Sequence, residues 1–224
     1  MFFSVQFAII GLMIITYQGV QSFRIQFGDT IIAYNPVSKE SKYPSSSFGS
    51  DIVLTSLNHP DFNGVDNASR GDKKPFVISG PGAYEINDIA VQGFSSKTNY
   101  DGKEQINTIY LVSLENMNLC LLGVIQNSAE LSPETKEALD GIDVLFVPIG
   151  GGEVLSPSDA YKLSVKLEPA IMIPMSFDST GKDGGLKAFL KEGGEEGIKP
   201  QDKLTLKRKD LEGREGDIIV LSSS

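Results

Sequence analysis

Two alternating runs, Arg24-Ile25-Gln26-Phe27 and Thr30-Ile31-Ile32-Ala33-Tyr34, meet across Gly28-Asp29. Runs of period two joined by a two-residue turn that tolerates positive φ close as a β-hairpin with one face toward a core. Ile106 to Leu114 and Met117 to Leu122 repeat that signal across Glu115-Asn116. Apolar runs too short for helices stand between and after the hairpins: Ile52-Val53-Leu54, Pro75 to Ile78, Asp143 to Pro148 and Ile171 to Met175. Each reads as a buried strand, and Lys203 to Lys207 and Asp217 to Leu221 read as two closing strands. Helices are expected after Ser132-Pro133 and Ser156-Pro157, where serine caps and proline fits the first turn, and from about Gly184 to Lys191. The second of these carries the stripe Ala160, Leu163, Val165 and Leu167 and ends before Pro169. Strands and helices interspersed in this way build mixed sheets with helices packed outside them.

The 224 residues suffice for one large core, and no stretch is long enough to serve as an interdomain linker. We therefore expect a single domain over residues 13–224, preceded by an apolar extension at 1–12. Residues 1–23 carry no charged side chain, so a signal segment or a short anchor is the alternative reading there. Against that alternative, a basic leading region is missing and Ser4, Gln6, Thr16, Tyr17 and Gln18 interrupt the apolar run.

The segment Asp51 to Val65 places Asn58-His59-Pro60-Asp61 immediately after a buried strand, a position from which loops carry chemistry. A hydrolytic zinc site needs about three nitrogen, sulfur or carboxylate ligands and an open water position. With one His and one Cys in the whole chain, a histidine-rich dinuclear centre is excluded. Ile149-Gly150-Gly151-Gly152 lacks the spacing of a phosphate-binding loop and reads as a sharp turn. Ser79 to Glu85 also reads as a tight turn, and Asn99 to Gln105 as another.

In order, these segments resemble the metallo-β-lactamase superfamily, in the branch of small zinc-dependent hydrolases related to the lactonase acting on ascorbate 6-phosphate. The matching features are the Gly28-Asp29 hairpin, the Asn58 to Asp61 loop, the Gly80-Pro81-Gly82 turn, the triple glycine and the Ile171 to Met175 strand. The resemblance implies a four-layer αβ/βα sandwich, two mixed β-sheets with outer helices. It also implies a metal site, and there this chain departs from the pattern. Val20, Leu57, Phe62 and Ser176 stand where the family places histidines, and Val124 where it places a bridging aspartate; His59 and Asp61 alone keep their types. What is expected is a catalytically inactive or weakly active relative with a binding or regulatory role and no cofactor. One alternative is a mononuclear hydrolase or isomerase using His59 and Asp61, with Asp178 a further candidate, and a single weakly bound zinc, manganese or magnesium ion. A structural scaffold is the other.

The formal charge of −9 opposes a nucleic-acid partner, and Lys207-Arg208-Lys209 is followed at once by Asp210 and Glu212, so it reads as a solvated strand end. Cys120, inside Leu119-Cys120-Leu121-Leu122, reads as a small buried hydrophobe, and a single cysteine fits a cytoplasmic setting. No membrane partner is expected. The partner left open is a small molecule or a protein, and the sequence does not specify an oligomeric state.

Overall fold

Strand β1 (Met13–Tyr17) buries Met13, Ile15 and Tyr17 and leaves Ile14 and Thr16 half-buried, the alternation of a strand with one face on a core. The computed structural model describes residues 11–69, 71, 74–177 and 184–224. After β1 the strands are β2 (Phe23–Phe27), β3 (Thr30–Tyr34), β4 (Ile52–Leu54), β5 (Phe76–Ile78), β6 (Gly82–Ile86) and β7 (Ile89–Tyr100). They continue with β8 (Lys103–Leu114), β9 (Met117–Leu121), β10 (Val144–Pro148), β11 (Ile171–Met175), β12 (Leu204–Leu206) and β13 (Asp217–Ile218). The helices are α1 (Pro133–Ala138), α2 (Pro157–Leu167) and α3 (Gly184–Glu192).

Among the described residues the strands form two mixed sheets. The first has the order β12-β1-β2-β3-β4-β5 and the second β13-β11-β10-β9-β8-β7-β6. In the first, β3, β4 and β5 run parallel and the other pairs antiparallel. In the second, β9, β10, β11 and β13 are parallel, and β6 to β9 form an antiparallel meander. The sheets face each other across one core, in which Ile25, Tyr34 and Leu54 lie with Tyr110, Val112 and Ile173. The Phe23 and Phe146 rings meet edge to face across it, 4.8 Å apart.

A second core forms where Cys120, Leu145 and Val147 meet Leu163 of α2 and Phe189 and Leu190 of α3. The expected sandwich is present, with unequal outer layers. Over the first sheet, Ala33 and Val53 are covered by Ala68 and half-buried Phe48 and Val65, from a loop and the 3-10 turn Val65–Ala68. Among the described residues no helix is long and apolar enough to cross a membrane.

Several elements differ from expectation for identifiable reasons. The turn foreseen over Asn99 to Gln105 shrinks to Asp101-Gly102, because β7 and β8 run on as a long hairpin. In that extension Ser96, Thr98 and Tyr100 are buried and alternate with exposed Lys97 and Asn99, a period of two written in polar residues. The glycine segment foreseen as a turn becomes an edge strand from Gly82. Phe76 and Val77, foreseen as buried, are 51% and 41% exposed because β5 is the last strand of its sheet. Val165 leaves the apolar stripe and is 49% exposed. Arg208 opens a 3-10 turn instead of ending a strand and pairs with Asp143. Both hairpin expectations hold, and Glu115 and Asn116 take φ values of 52° and 59°.

Candidate functional site

Strands that end at one rim of the two sheets leave their last residues in left-handed backbone. Gly19 and Val20 after β1, Asn35 after β3, Gly123 after β9 and Ser176 after β11 have φ between 45° and 93°. Positive φ is an outlier for a β-branched residue such as Val20, and strain of this kind persists only where surrounding packing imposes it. Gly123 shows what is imposed: a Cβ there would collide with Asn107 Oδ1 and stand 2.8 Å from Ser56 Cβ.

Two layers of side chains occupy this rim. The first is apolar. Val20, Leu57, Phe62 and Val124 lie in one buried cluster with Val37, Tyr100 and Val154, and Tyr43 packs against it. The second is polar and uncharged. Asn35 accepts from the Ser56 amide at 2.7 Å and donates to Ser56 Oγ at 2.9 Å. Gln21 accepts from Asn35 and donates to Gly123 O and Ser176 Oγ. Asn107 donates to Ser96 Oγ and Leu122 O and accepts from the Val124 amide at 2.8 Å. Ser176, grouped with the apolar positions on sequence, belongs to this second layer, and its amide donates to Val20 O at 2.6 Å.

His59 and Asp61 lie beside the cluster as parts of a stapled loop. The Asp61 amide donates to His59 Nδ1 at 3.2 Å, so that nitrogen is an acceptor and the neutral ring carries its proton on Nε2. Nε2 faces Asp101 Oδ2 at 3.8 Å, and the Phe62 and Asn63 amides donate to His59 O. The Asp61 carboxylate lies 3.5 Å from Nδ1, but its oxygens accept from the Ser41 and Tyr100 hydroxyls. As placed, His59 offers no free lone pair for proton abstraction. Burial, reinforced by the Asp61 carboxylate, pushes the Tyr100 phenol far above its ordinary value. Asp178 lies outside the described residues.

The sequence pointed to His59, Asp61 and the five replaced positions but missed Gln21, Asn107, Tyr100 and Ser41. Neutral amides and hydroxyls in strands carry no pattern that distinguishes them from solvated residues. Of the polar layer, Ser176 stood at a position singled out by the resemblance.

The beta-lactamase superfamily domain, as a sequence family, matches residues 14–176. The chain belongs to the beta-lactamase superfamily. No curated protein matches it. Among solved structures, it is similar to a protein of Thermotoga maritima assigned to the zinc-dependent hydrolases of the metallo-β-lactamase superfamily. The identity is 24% and the TM-score 0.69, over 93% of this chain and 98% of that one. A protein of Parabacteroides distasonis assigned as a metal-dependent hydrolase is 18% identical with a TM-score of 0.64, over 95% and 94%. Igni18, a metallo hydrolase of Ignicoccus hospitalis, is 16% identical with a TM-score of 0.64, over 88% and 99%. At these identities the structural likeness shows the fold.

The metal that this superfamily fold implies does not fit the residues present. Among the described residues no group of three or more His, Cys, Asp or Glu side chains is placed to hold an ion. Valine, leucine and phenylalanine offer no lone pair, and the two donors that remain are engaged in the loop staple.

Proposed function

We propose that this member of the beta-lactamase superfamily does not carry out metal-dependent hydrolysis and acts in the cytoplasm by binding a small molecule or a protein. One observation carries the reading. Val20, Leu57, Phe62 and Val124, four positions where the resemblance puts metal ligands, pack into a single apolar cluster. Apolar side chains suit an emptied metal pocket, since a void forfeits dispersion contacts and unpaired polar ligands would cost more. The positive φ angles at Val20, Asn35, Gly123 and Ser176 support a rim that is built for a purpose other than filling a core.

Metal analysis of the full chain purified without chelator, together with assays on lactone and phosphodiester substrates, tests this. The expected outcome is zinc and manganese far below stoichiometric and no chelator-sensitive turnover. Near-stoichiometric metal with hydrolysis that His59→Ala abolishes would replace this reading with a mononuclear hydrolase.

A further inference from the structure

We propose a binding site for a small oxyanion, a carboxylate or phosphate carried on a compact apolar body, on the outer face of the first sheet. It lies apart from the rim cluster and does not depend on the reading given above.

The site is a cavity of about 470 Å3 lined by Arg24, Ile31, Ser47, Phe48, Gly49 and Ser69. Its volume falls within the range of small-molecule pockets. Among the described residues that line it Arg24 is the only charged one, in a chain where 29 acidic residues outnumber 20 basic ones. The other described arginines are paired, Arg208 with Asp143 and Arg214 with Asp217. Among the described residues Arg24 has no carboxylate partner. Its Nη2 donates to Gln26 Oε1 at 2.7 Å, and Gln26 Nε2 donates to Gly28 O at 3.0 Å. Gln26 is thus held at both ends and fixes the guanidinium, leaving the remaining N–H groups for a ligand.

The loop from Ser47 to Ser50 supplies further donors to the lining. The Phe48 amide donates to Asn67 O and the Ser50 amide to Ala68 O, both at 2.9 Å, so the Gly49 peptide between them is pinned. The Gly49 N–H and the Ser47 hydroxyl have no hydrogen-bond partner among the described residues. Asp51, the nearest acid in sequence, accepts from the Ile31 amide and is not part of the lining. A fork-shaped cation that shares a cavity with a pinned peptide and a hydroxyl, with no carboxylate among the described lining residues, is a donor set suited to an oxyanion. Ile31 and Phe48 add the apolar sides that a bare inorganic ion would not use.

Titration of the full chain with benzoate and, separately, with inorganic phosphate, followed by main-chain amide chemical shifts, tests the site. Saturable shifts centred on Ser47 and Gly49 are expected. Arg24→Gln, checked for unchanged thermal unfolding, should weaken binding at least tenfold, and Ser47→Ala about threefold. Tighter benzoate binding assigns a carboxylate on an apolar body; tighter phosphate binding assigns a phosphoryl head. Shifts that rise linearly without saturating, or saturation that Arg24→Gln and Ser47→Ala both leave unchanged, overturn the proposal.

Discussion

The two layers at the rim of the sandwich sit on the same strand ends and are held by opposite physics. The cluster of Val20, Leu57, Phe62 and Val124 is held by volume and exclusion of water, without a directional bond among its side chains. A few ångströms away, Gln21, Asn35, Ser56, Asn107 and Ser176 are held by matched donors and acceptors, and every one of these side chains is neutral. The difference shows where each layer can yield: neutral amides and hydroxyls fix the left-handed corners of the rim, and apolar side chains fill the space beside them.

The comparison can be broken first on its apolar side, where the largest effect is expected. Phe62→Ala removes a ring in contact with Tyr100 at 5.1 Å and leaves a cavity that the strained loops cannot close. Its expected cost is about 4 kcal/mol by denaturant unfolding, whereas the volume-conserving Leu57→Met should cost under about 1.5 kcal/mol. The polar layer should answer differently to a change that conserves volume. Asn107→Leu keeps the size but strands the Val124 amide, Leu122 O and Ser96 Oγ, and it should cost about 3 kcal/mol. A cost at Asn107 no larger than that at Leu57 would show that the polar layer is packing alone.

Legibility in the sequence divides along the same line. Alternating or short apolar runs located β2 to β4 and β8 to β11, and the serine-proline pairs located α1 and α2, because those signals are local and depend on burial. The long β7 and β8 extension was hidden because its buried positions are Ser96, Thr98 and Tyr100, polar residues whose contacts, such as Asp61 and Phe62 at Tyr100, lie far away in sequence. The replaced positions Val20, Leu57, Phe62 and Val124 could be named through the ordered resemblance, but their contact with Val37 and Val154 joins segments over 100 residues apart. Asp61 was read with His59 as the remnant of a site that binds one metal weakly. Its actual partners, Ser41 and Tyr100, come from a loop and from a strand whose end was misplaced.

The smallest expected effect lies where the two layers and the loop staple meet. Tyr100 belongs to the apolar cluster by its ring, which stands 4.9 Å from that of His59, and its hydroxyl donates to Asp61 Oδ2 at 2.8 Å. Tyr100→Phe keeps the ring and removes one bond to a buried carboxylate that retains Ser41, so the expected cost at neutral pH is about 2 kcal/mol. The mutation should also change the alkaline limb of stability. The folded chain holds the phenol proton far above the ordinary tyrosine value of 10.0, whereas the unfolded chain releases it near that value. Stability from this group is therefore complete below pH 10 and falls as pH rises beyond it, by at most about 1.4 kcal/mol per pH unit. Tyr34 and Tyr110 are shifted in the same direction by burial, so a downward slope persists in the variant. Unfolding free energies measured between pH 8 and 11 should show a shallower fall in Tyr100→Phe than in the parent, with the two curves converging at high pH. Parallel curves would mean that the hydroxyl titrates alike in the folded and unfolded chains, as a solvated phenol does, and the bond to Asp61 would then no longer count as the link between the loop staple and the cluster.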